Sequence, residues 1–364
     1  RGWQAFASSR LGRFTTVSAL LCPVGQCCSD TSCSIEQSCA PGRSFLEPYC
    51  GACLDGWSEA FGTNACVRER FLLPFTTSAC CACDRAASSE CGSVTSALAM
   101  VGSFFASLAL AAYFVASSSR ATAHGCVFKS LAFVMQTASL LIEEGQGESA
   151  FGVVAAVFDL RWEGSANGVC PFAMTAETKL LMSFLPPALL FIAFALASLA
   201  SLALLRDRPG LRAQLSSAAW AVVLFAFASI SKATFQLLQC KAVAVDSSGD
   251  TEFRLFRAGA VRCFWRWYQV LAVIALPVAI AFPVFVASRA RKLAVAGEPH
   301  ALWASFRRVC SYFEAAMLER RLLMVGLAVF ISQPVVRAYA LFLCSAAVLL
   351  LHLALQPFAF ALAN

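Results

Sequence analysis

Long apolar runs without charged residues constrain the fold of this chain more than any other feature. The run SVTSALAMVGSFFASLALAAYFVA at 93–116 and the run at 180–205 contain no Asp, Glu, Lys or Arg. A helix of about 20 apolar residues spans the hydrocarbon core of a bilayer. The chain is 59% hydrophobic and only 13% charged, with a mean hydropathy of +0.70. Together these values predict a polytopic α-helical membrane protein.

Seven segments are candidate spans, so we predict a transmembrane helical domain of about seven spans over 93–364. The segment 148–162 is amphipathic and too short to span, which indicates a re-entrant or interfacial position. Pro186 and Pro187 predict a kink in one span, because proline removes a helix hydrogen bond. The apolar ending at Asn364 indicates a domain truncated at its C-terminus. The candidate spans are 93–116, 131–142 (short), 180–205, 217–238, 268–288, 322–332 (short) and 339–358.

The cysteines are concentrated near the N-terminus, where twelve of the 18 lie within 22–92. This segment is rich in turn residues and too lean to build an apolar core, so cross-links must replace one. Paired neighbours such as Cys27-Cys28 favour disulfides over the alternative, a zinc site, since no histidine lies in the block. We predict a small disulfide-rich extracellular module over 22–92, and 1–21 stays unassigned. The twelve cysteines are Cys22, Cys27, Cys28, Cys33, Cys39, Cys50, Cys53, Cys66, Cys80, Cys81, Cys83 and Cys91.

The distribution of basic residues predicts the orientation. With the cysteine-rich module outside, twelve Lys and Arg residues of the loops lie inside and six outside, in agreement with the positive-inside rule. Disulfides need an oxidising compartment, which gives the same orientation. We therefore predict an integral membrane protein, with the plasma membrane as its location. In this topology Arg320-Arg321 marks a cytoplasmic boundary, and Cys240 and Cys263 share one external loop that a disulfide can close.

A few polar residues are candidates for an ion or ligand site. Lys232 lies within an apolar segment, where a charge is costly unless it is paired or reaches the interface. Its candidate partners on the outer side are Asp159 and Glu144, and the pair Glu143-Glu144 could attract cations to a vestibule. The alternatives are a lysine that snorkels to the interface and a solvated helix end.

Within the cysteine-rich module, Trp57 and Glu59 offer a contact surface for a partner, or else pack against or solvate a cross-linked turn. Elsewhere the sequence contains no metalloprotease motif, no phosphate-binding loop and no credible catalytic triad, so we expect no enzyme activity and no cofactor. Scattered basic residues argue against nucleic-acid binding. The expected partners are the lipid bilayer and either a second copy of the chain or other membrane or surface proteins.

Several stretches resemble a known family. The stretch CAPGRSFLEPYCGACLDGWSEAFGTNAC resembles the EGF-like or growth-factor-receptor-type repeats of protist surface proteins. The later stretches FKSLAFVMQTASLL, CPFAMTAETKLLMSFLPPALL, RLFRAGAVRCFWRWYQVLAVIALPVAI, MLERRLLMVGL and LLLHLALQPFAFALAN are similar to the transmembrane region of TRP-like (transient receptor potential-like) proteins. This resemblance covers 22–364 and implies a sensory or mechanosensitive cation channel. The alternative is a surface receptor, adhesion or structural membrane protein without transport activity.

Overall fold

A computed structural model gives the fold, and it describes the helical part of the chain most fully. The described residues are 3–10, 13–21, single positions and short stretches within 27–55, then 57–59, 66–70, 79–80, isolated positions within 102–135, and 175–204, 210–244, 251–296, 306, 310–331 and 333–356.

The N-terminal residues, which the sequence left unassigned, form an antiparallel hairpin. Strand β1 comprises Trp3–Arg10 and strand β2 comprises Arg13–Leu21, with Trp3 opposite Leu21. The hairpin pairs irregularly between Ser8 and Ser9.

The cysteine-rich segment contains a small three-stranded antiparallel sheet. Its strands are β3 (Trp57–Glu59), β4 (Cys66–Arg70) and β5 (Ala79–Cys80), in that order. Two disulfides, Cys39–Cys50 and Cys53–Cys66, close loops around it. The prediction that disulfides rather than a large core stabilise this segment is thus confirmed for the cysteine pairs that the structure describes.

The helical part begins with a short helix and a long one. Helix α1 comprises Ala176–Met182 and helix α2 comprises Leu185–Leu204. The Thr175 side chain caps α1 by accepting a hydrogen bond from the backbone N–H of Thr178 at 3.2 Å. Pro186 and Pro187 lie in the first turn of α2, where the backbone N–H has no helical partner in any case. The interruption between α1 and α2 at 183–184 thus lies just before the two prolines, within the span 176–204, in agreement with the kink predicted there.

Helix α3 comprises Leu211–Leu238 and helix α4 comprises Trp267–Ala296. A three-stranded antiparallel sheet, which we call the hairpin sheet, connects them. The hairpin sheet contains β6 (Cys240–Ala244), β7 (Thr251–Leu255) and β8 (Ala258–Arg262). Helix α4 contains Pro277 and Pro283 in its interior.

The last two helices correct part of the sequence prediction. Helix α5 comprises Phe313–Phe330 and helix α6 comprises Pro334–Leu355. The segment 322–332 is therefore the C-terminal part of α5, not a separate span. Arg320 and Arg321 lie in the middle of this helix, and the cytoplasmic boundary expected at these residues stays a prediction. Among the charged residues of α5, Glu314 is buried, Arg320 and Arg321 are half-buried and Glu319 is exposed.

Four helices are long enough and apolar enough to cross a membrane: 176–204, 211–238, 267–296 and 335–355. The predicted helical membrane-type architecture is confirmed at this coarser level, whereas seven spans are not. Within the predicted span 93–116, Gly102, Phe105, Ala109 and Tyr113 are helical. The rest of that span and most of 131–142 lie outside the described residues, as does the linker that follows Cys91.

Helix α3 is the centre of the bundle. On one side, its Val222 and Phe225 pack against Leu190 of α2. On the other side, Leu224 lies in one apolar cluster with Val286 of α4 and Leu318 of α5. Of the apolar window of α3, 72% is buried, against 6% of that of α6. Helix α6 thus contributes an apolar surface that the described chain leaves uncovered.

The two ends of the bundle differ in chemistry. At one end, Leu180 of α1, Leu237 of α3, Leu255 of β7 and Tyr268 of α4 share an apolar cluster. We call this the disulfide end, since the Cys240–Cys263 bond lies there. Exposed Arg262 and Arg266 also lie there, paired with Glu252 and Glu177. The opposite end carries a second group of exposed basic residues and is called the basic end. These residues are Arg212 of α3 and Arg289, Arg291 and Lys292 of α4.

Candidate coupling site and groove

Three charged side chains join the cysteine-rich segment to the helices. The Arg43 guanidinium lies 2.8 Å from Glu59 Oε1, and Lys179 Nζ of α1 donates to Glu59 Oε2 at 3.3 Å. We call these residues the charge triad. The side chains of Arg43 and Glu59 are 0% and 2% exposed, and that of Lys179 is 16% exposed. A carboxylate from the cysteine-rich segment is therefore neutralised partly from within the segment and partly by a helix.

The local sequence explains how Glu59 and Arg43 are positioned. Glu59 lies opposite Cys66 in the β3–β4 register, and the Cys53–Cys66 disulfide holds that strand pair to the loop before it. Cys53 in turn bridges to Arg43. The Cys53–Cys66 disulfide thus links the backbone next to Glu59 to the backbone next to Arg43.

The turn before Arg43 requires glycine. Gly42 has φ of +79°, and a Cβ atom at this position would clash with the Trp57 ring. Trp57 therefore packs against the turn, in accordance with the packing alternative for this residue. Glu59 is buried rather than exposed, so its reading as an open contact surface is wrong.

Burial makes the triad energetically sensitive. Desolvation lowers the pKa of Arg43, and the nearby Glu59 carboxylate opposes that decrease by favouring the charged guanidinium. Arg43 also donates to the Cys50 carbonyl at 2.9 Å. Removing one member of a buried pair leaves an uncompensated charge, which costs about 3–5 kcal/mol. The triad can therefore hold two parts of the chain in one arrangement.

Cys53, Glu59 and Cys66 bring three potential metal-ligand atoms within 4.8 Å of one another. The two sulfurs are bonded to each other in a disulfide, however, and a zinc ligand must be a thiolate. Glu59 is already engaged by the two cations. The chemistry of this cluster is thus that of a structural junction.

The expected disulfide between Cys240 and Cys263 is present, with an S–S distance of 2.03 Å and a Cα–Cα distance of 6.2 Å. It closes the hairpin sheet between α3 and α4. Within the hairpin, Arg254 pairs with Glu252 at 3.1 Å and donates to the Gly259 carbonyl at 3.1 Å. Arg266, just before α4, pairs with Glu177 of α1 at 3.6 Å. These contacts tie α1 to the disulfide end.

The predicted ion or ligand site is only partly described. Lys232 is half-buried in the C-terminal half of α3. Asp159, Glu143 and Glu144 lie outside the described residues, as do Cys22, Cys28, Cys33, Cys81, Cys83 and Cys91. A cation site made by these residues therefore stays a prediction.

Sequence reasoning missed a set of buried polar contacts inside the bundle. Arg321 of α5 donates to the Leu224 carbonyl of α3 at 3.0 Å. The Gln239 amide donates to the Val329 carbonyl of α5, and Gln269 donates to the Leu237 carbonyl at 3.5 Å. The signal in the sequence that could have predicted the Arg321 contact is the position of this charge beside an apolar helical run.

A groove runs between α4 and α5, with a volume of about 1030 Å³. Ile280 and Pro283 of α4 and Leu323 and Leu327 of α5 line it, and Glu319 is the only acidic residue among its lining residues. A second cavity of about 840 Å³ continues it toward the basic end. We call the two together the α4–α5 groove.

Comparisons with known proteins identify no relative: no family model, no curated protein and no solved structure matches this chain. The resemblance to TRP-like proteins accordingly stays a prediction.

Proposed function

We propose that the protein is an integral membrane protein of the sensory type, in which the cysteine-rich segment is coupled to the helical bundle by the charge triad. The observation that carries this proposal is the pairing of buried Glu59 with both Arg43 and Lys179. A module attached only by a flexible linker would not need an ion pair between a buried carboxylate and helix α1.

We propose an orientation in which the disulfide end faces the extracellular side. The Cys39–Cys50 and Cys53–Cys66 bonds lie in the segment that Lys179 contacts, and the Cys240–Cys263 bond lies at the same end of the bundle. Disulfides persist in oxidising compartments. The count of basic loop residues in the sequence, twelve on the opposite side against six on this one, favours the same orientation, although Arg262 and Arg266 are exposed at the disulfide end. Two independent chemical signals thus support one orientation, with the plasma membrane as the proposed location.

The triad provides a route from the segment to the spans. Lys179 lies in α1, and its neighbour Leu180 packs in the apolar cluster of the disulfide end together with Leu237 of α3 and Tyr268 of α4. A displacement of Glu59 therefore pulls on a residue adjacent to the contact of three helices. Rigid packing transmits such displacements because cores are close-packed.

The response that we propose is a cation conductance, which the resemblance to TRP-like proteins implies. Pro277 and Pro283 inside α4 remove backbone hydrogen bonds, so this span has two positions at which it can bend. The alternative is a receptor or adhesion protein whose helices anchor the cysteine-rich segment. Purified full-length protein in planar bilayers distinguishes the two: conductance under membrane tension supports the channel, and absence of any cation conductance leaves the receptor.

Coupling itself is tested with Lys179→Met, which removes the charge but keeps an unbranched side chain. Hydrogen exchange of the full chain in nanodiscs should become faster both in 57–59 and in 176–182, because the contact between them is lost. Lys179→Arg retains the charge and serves as the matched control, with little change expected. Faster exchange in neither region, or in 176–182 alone, would contradict coupling through the triad.

A further inference from the structure

The α4–α5 groove has an apolar part and a polar part that adjoin each other. Val284, Ala287 and Tyr312 line both cavities, so the two cavities lie next to each other. The apolar part extends along the exposed faces of Ile280 and Leu323, which are 58% and 54% exposed. It therefore opens sideways, toward the acyl chains of a surrounding bilayer, and not toward the interior of the bundle.

The polar part carries groups that recognise a phosphate. Arg291, Ser288 and Ser311 line it together with Tyr312. Arg289 and Lys292 flank Arg291 on the exposed surface of α4, and the stretch 285–296 contains no acidic residue. A guanidinium beside hydroxyl groups binds phosphate oxygens through charge-assisted hydrogen bonds.

The spacing of the two parts matches an amphiphile. The polar part lies at the basic end, where the headgroups of one leaflet would be, and the apolar part extends from there toward the middle of α5. A free phosphate would occupy the polar part and leave the side chains of Leu323 and Leu327 without a ligand. Basic residues near a membrane surface attract anionic lipids.

We propose that the α4–α5 groove binds one anionic phospholipid, with its phosphate at Arg291, Ser311 and Tyr312 and an acyl chain along Leu323 and Leu327. The inference rests on the membrane insertion proposed above, but not on the coupling through the charge triad. Glu319 lies on the groove wall two helical turns after Tyr312. Its negative charge repels an anionic headgroup and therefore limits how far the headgroup can enter the groove.

The test uses the full chain in nanodiscs of phosphatidylcholine with or without phosphatidylglycerol, and native mass spectrometry counts the lipids that stay bound. Wild type should retain phosphatidylglycerol in preference to phosphatidylcholine. Arg291→Gln should weaken this retention about fivefold, the loss of one basic contact. Glu319→Gln should leave it unchanged or strengthen it, because the like charge is removed. Soluble glycerol phosphate should not compete.

Two further variants separate this site from general attraction to anionic membranes. Arg212→Gln removes an exposed arginine of the same end on α3, outside the groove, and should leave retention unchanged. Ala316→Phe fills the apolar part and should weaken retention while Arg291 stays in place; its thermal unfolding in pure phosphatidylcholine reports whether it is folded.

Equal retention by wild type and Arg291→Gln, or an equal loss in Arg212→Gln, would overturn the lipid site. Failure of the wild-type chain to insert into nanodiscs would instead overturn the proposed membrane function, so the two failures are distinguishable.

Discussion

The cysteine-rich segment and the helical bundle are stabilised by different interactions, although one chain forms both. In the segment, two disulfides and the buried pair of Arg43 and Glu59 fix short strands and turns. In the bundle, apolar clusters around α3 hold long helices together. The difference follows from composition, because a short segment with many glycines and cysteines cannot bury enough apolar area to fold by packing alone.

The junction between the two regions combines both strategies. Lys179 extends from an apolar helix end to a carboxylate that belongs to the cross-linked segment. The comparison teaches that the segment depends mainly on a few specific contacts, whereas the bundle depends mainly on apolar packing, to which a few hydrogen bonds between helices are added. Substitutions should therefore have large local effects in the first region and graded, burial-dependent effects in the second.

The largest effect is expected for Glu59→Ala. It leaves the Arg43 guanidinium buried without its carboxylate, which should cost about 3–5 kcal/mol of the stability of the segment. Hydrogen exchange of 57–59 and 66–70 measures this loss. Glu252→Ala is the matched control, since this carboxylate pairs with Arg254 in another hairpin but is 30% exposed; a cost below about 1 kcal/mol is expected there. Comparable costs for both variants would mean that burial does not distinguish the triad.

The next effect tests cross-linking within the helical region. Replacing both Cys240 and Cys263 by serine removes a disulfide with a sequence separation of 23, which should cost about 3 kcal/mol. Exchange in 240–262 should increase while the middle of α3 stays protected. Cys344→Ser, at a half-buried free thiol of α6, should have a small effect. If the double variant unfolds no more easily than Cys344→Ser, the hairpin does not depend on its disulfide.

The smallest effects compare two leucines of the bundle. Leu190 is fully buried against α3, and Leu190→Ala should cost about 2 kcal/mol through the cavity that it leaves. Leu350 of α6 is 67% exposed, so Leu350→Ala should cost below about 0.5 kcal/mol in detergent. Thermal unfolding of the purified variants provides both values. A large loss for Leu350→Ala would indicate that the surface of α6 is covered in the purified protein, as in a homo-oligomer.

Much of the architecture could be predicted from the sequence because its signals are local. Apolar runs of spanning length predicted the positions of α2, α3, α4 and α6. Two cysteines that flank a short loop predicted the bond between Cys240 and Cys263. The hairpin of 3–21 and the helix α5 could not be predicted in this way. The charged residues in α5 shortened its apolar run, because a hydropathy profile counts each charge as unfavourable whether or not it contacts a neighbouring helix.

The candidate sites depend on contacts that are distant in sequence. Glu59 and Lys179 are 120 positions apart, and only the fold brings them together. The sequence showed a tryptophan and a glutamate in a cross-linked turn, but it could not reveal that Glu59 is buried. The α4–α5 groove likewise arises from two helices whose facing sides are not marked by any motif.

The most direct test of the central claim is the location of the two ends of the bundle relative to the membrane. The sequence in 1–364 contains no Asn-x-Ser/Thr glycosylation acceptor. Glycosylation of an acceptor introduced within 245–250 or within 297–305 can therefore be detected without a signal from other sites. Expressed in a eukaryotic cell, the full chain should be glycosylated at the first position, next to the disulfide end, and not at the second, next to the basic end. Glycosylation at 297–305 alone, or at both positions, would contradict this account of the molecule.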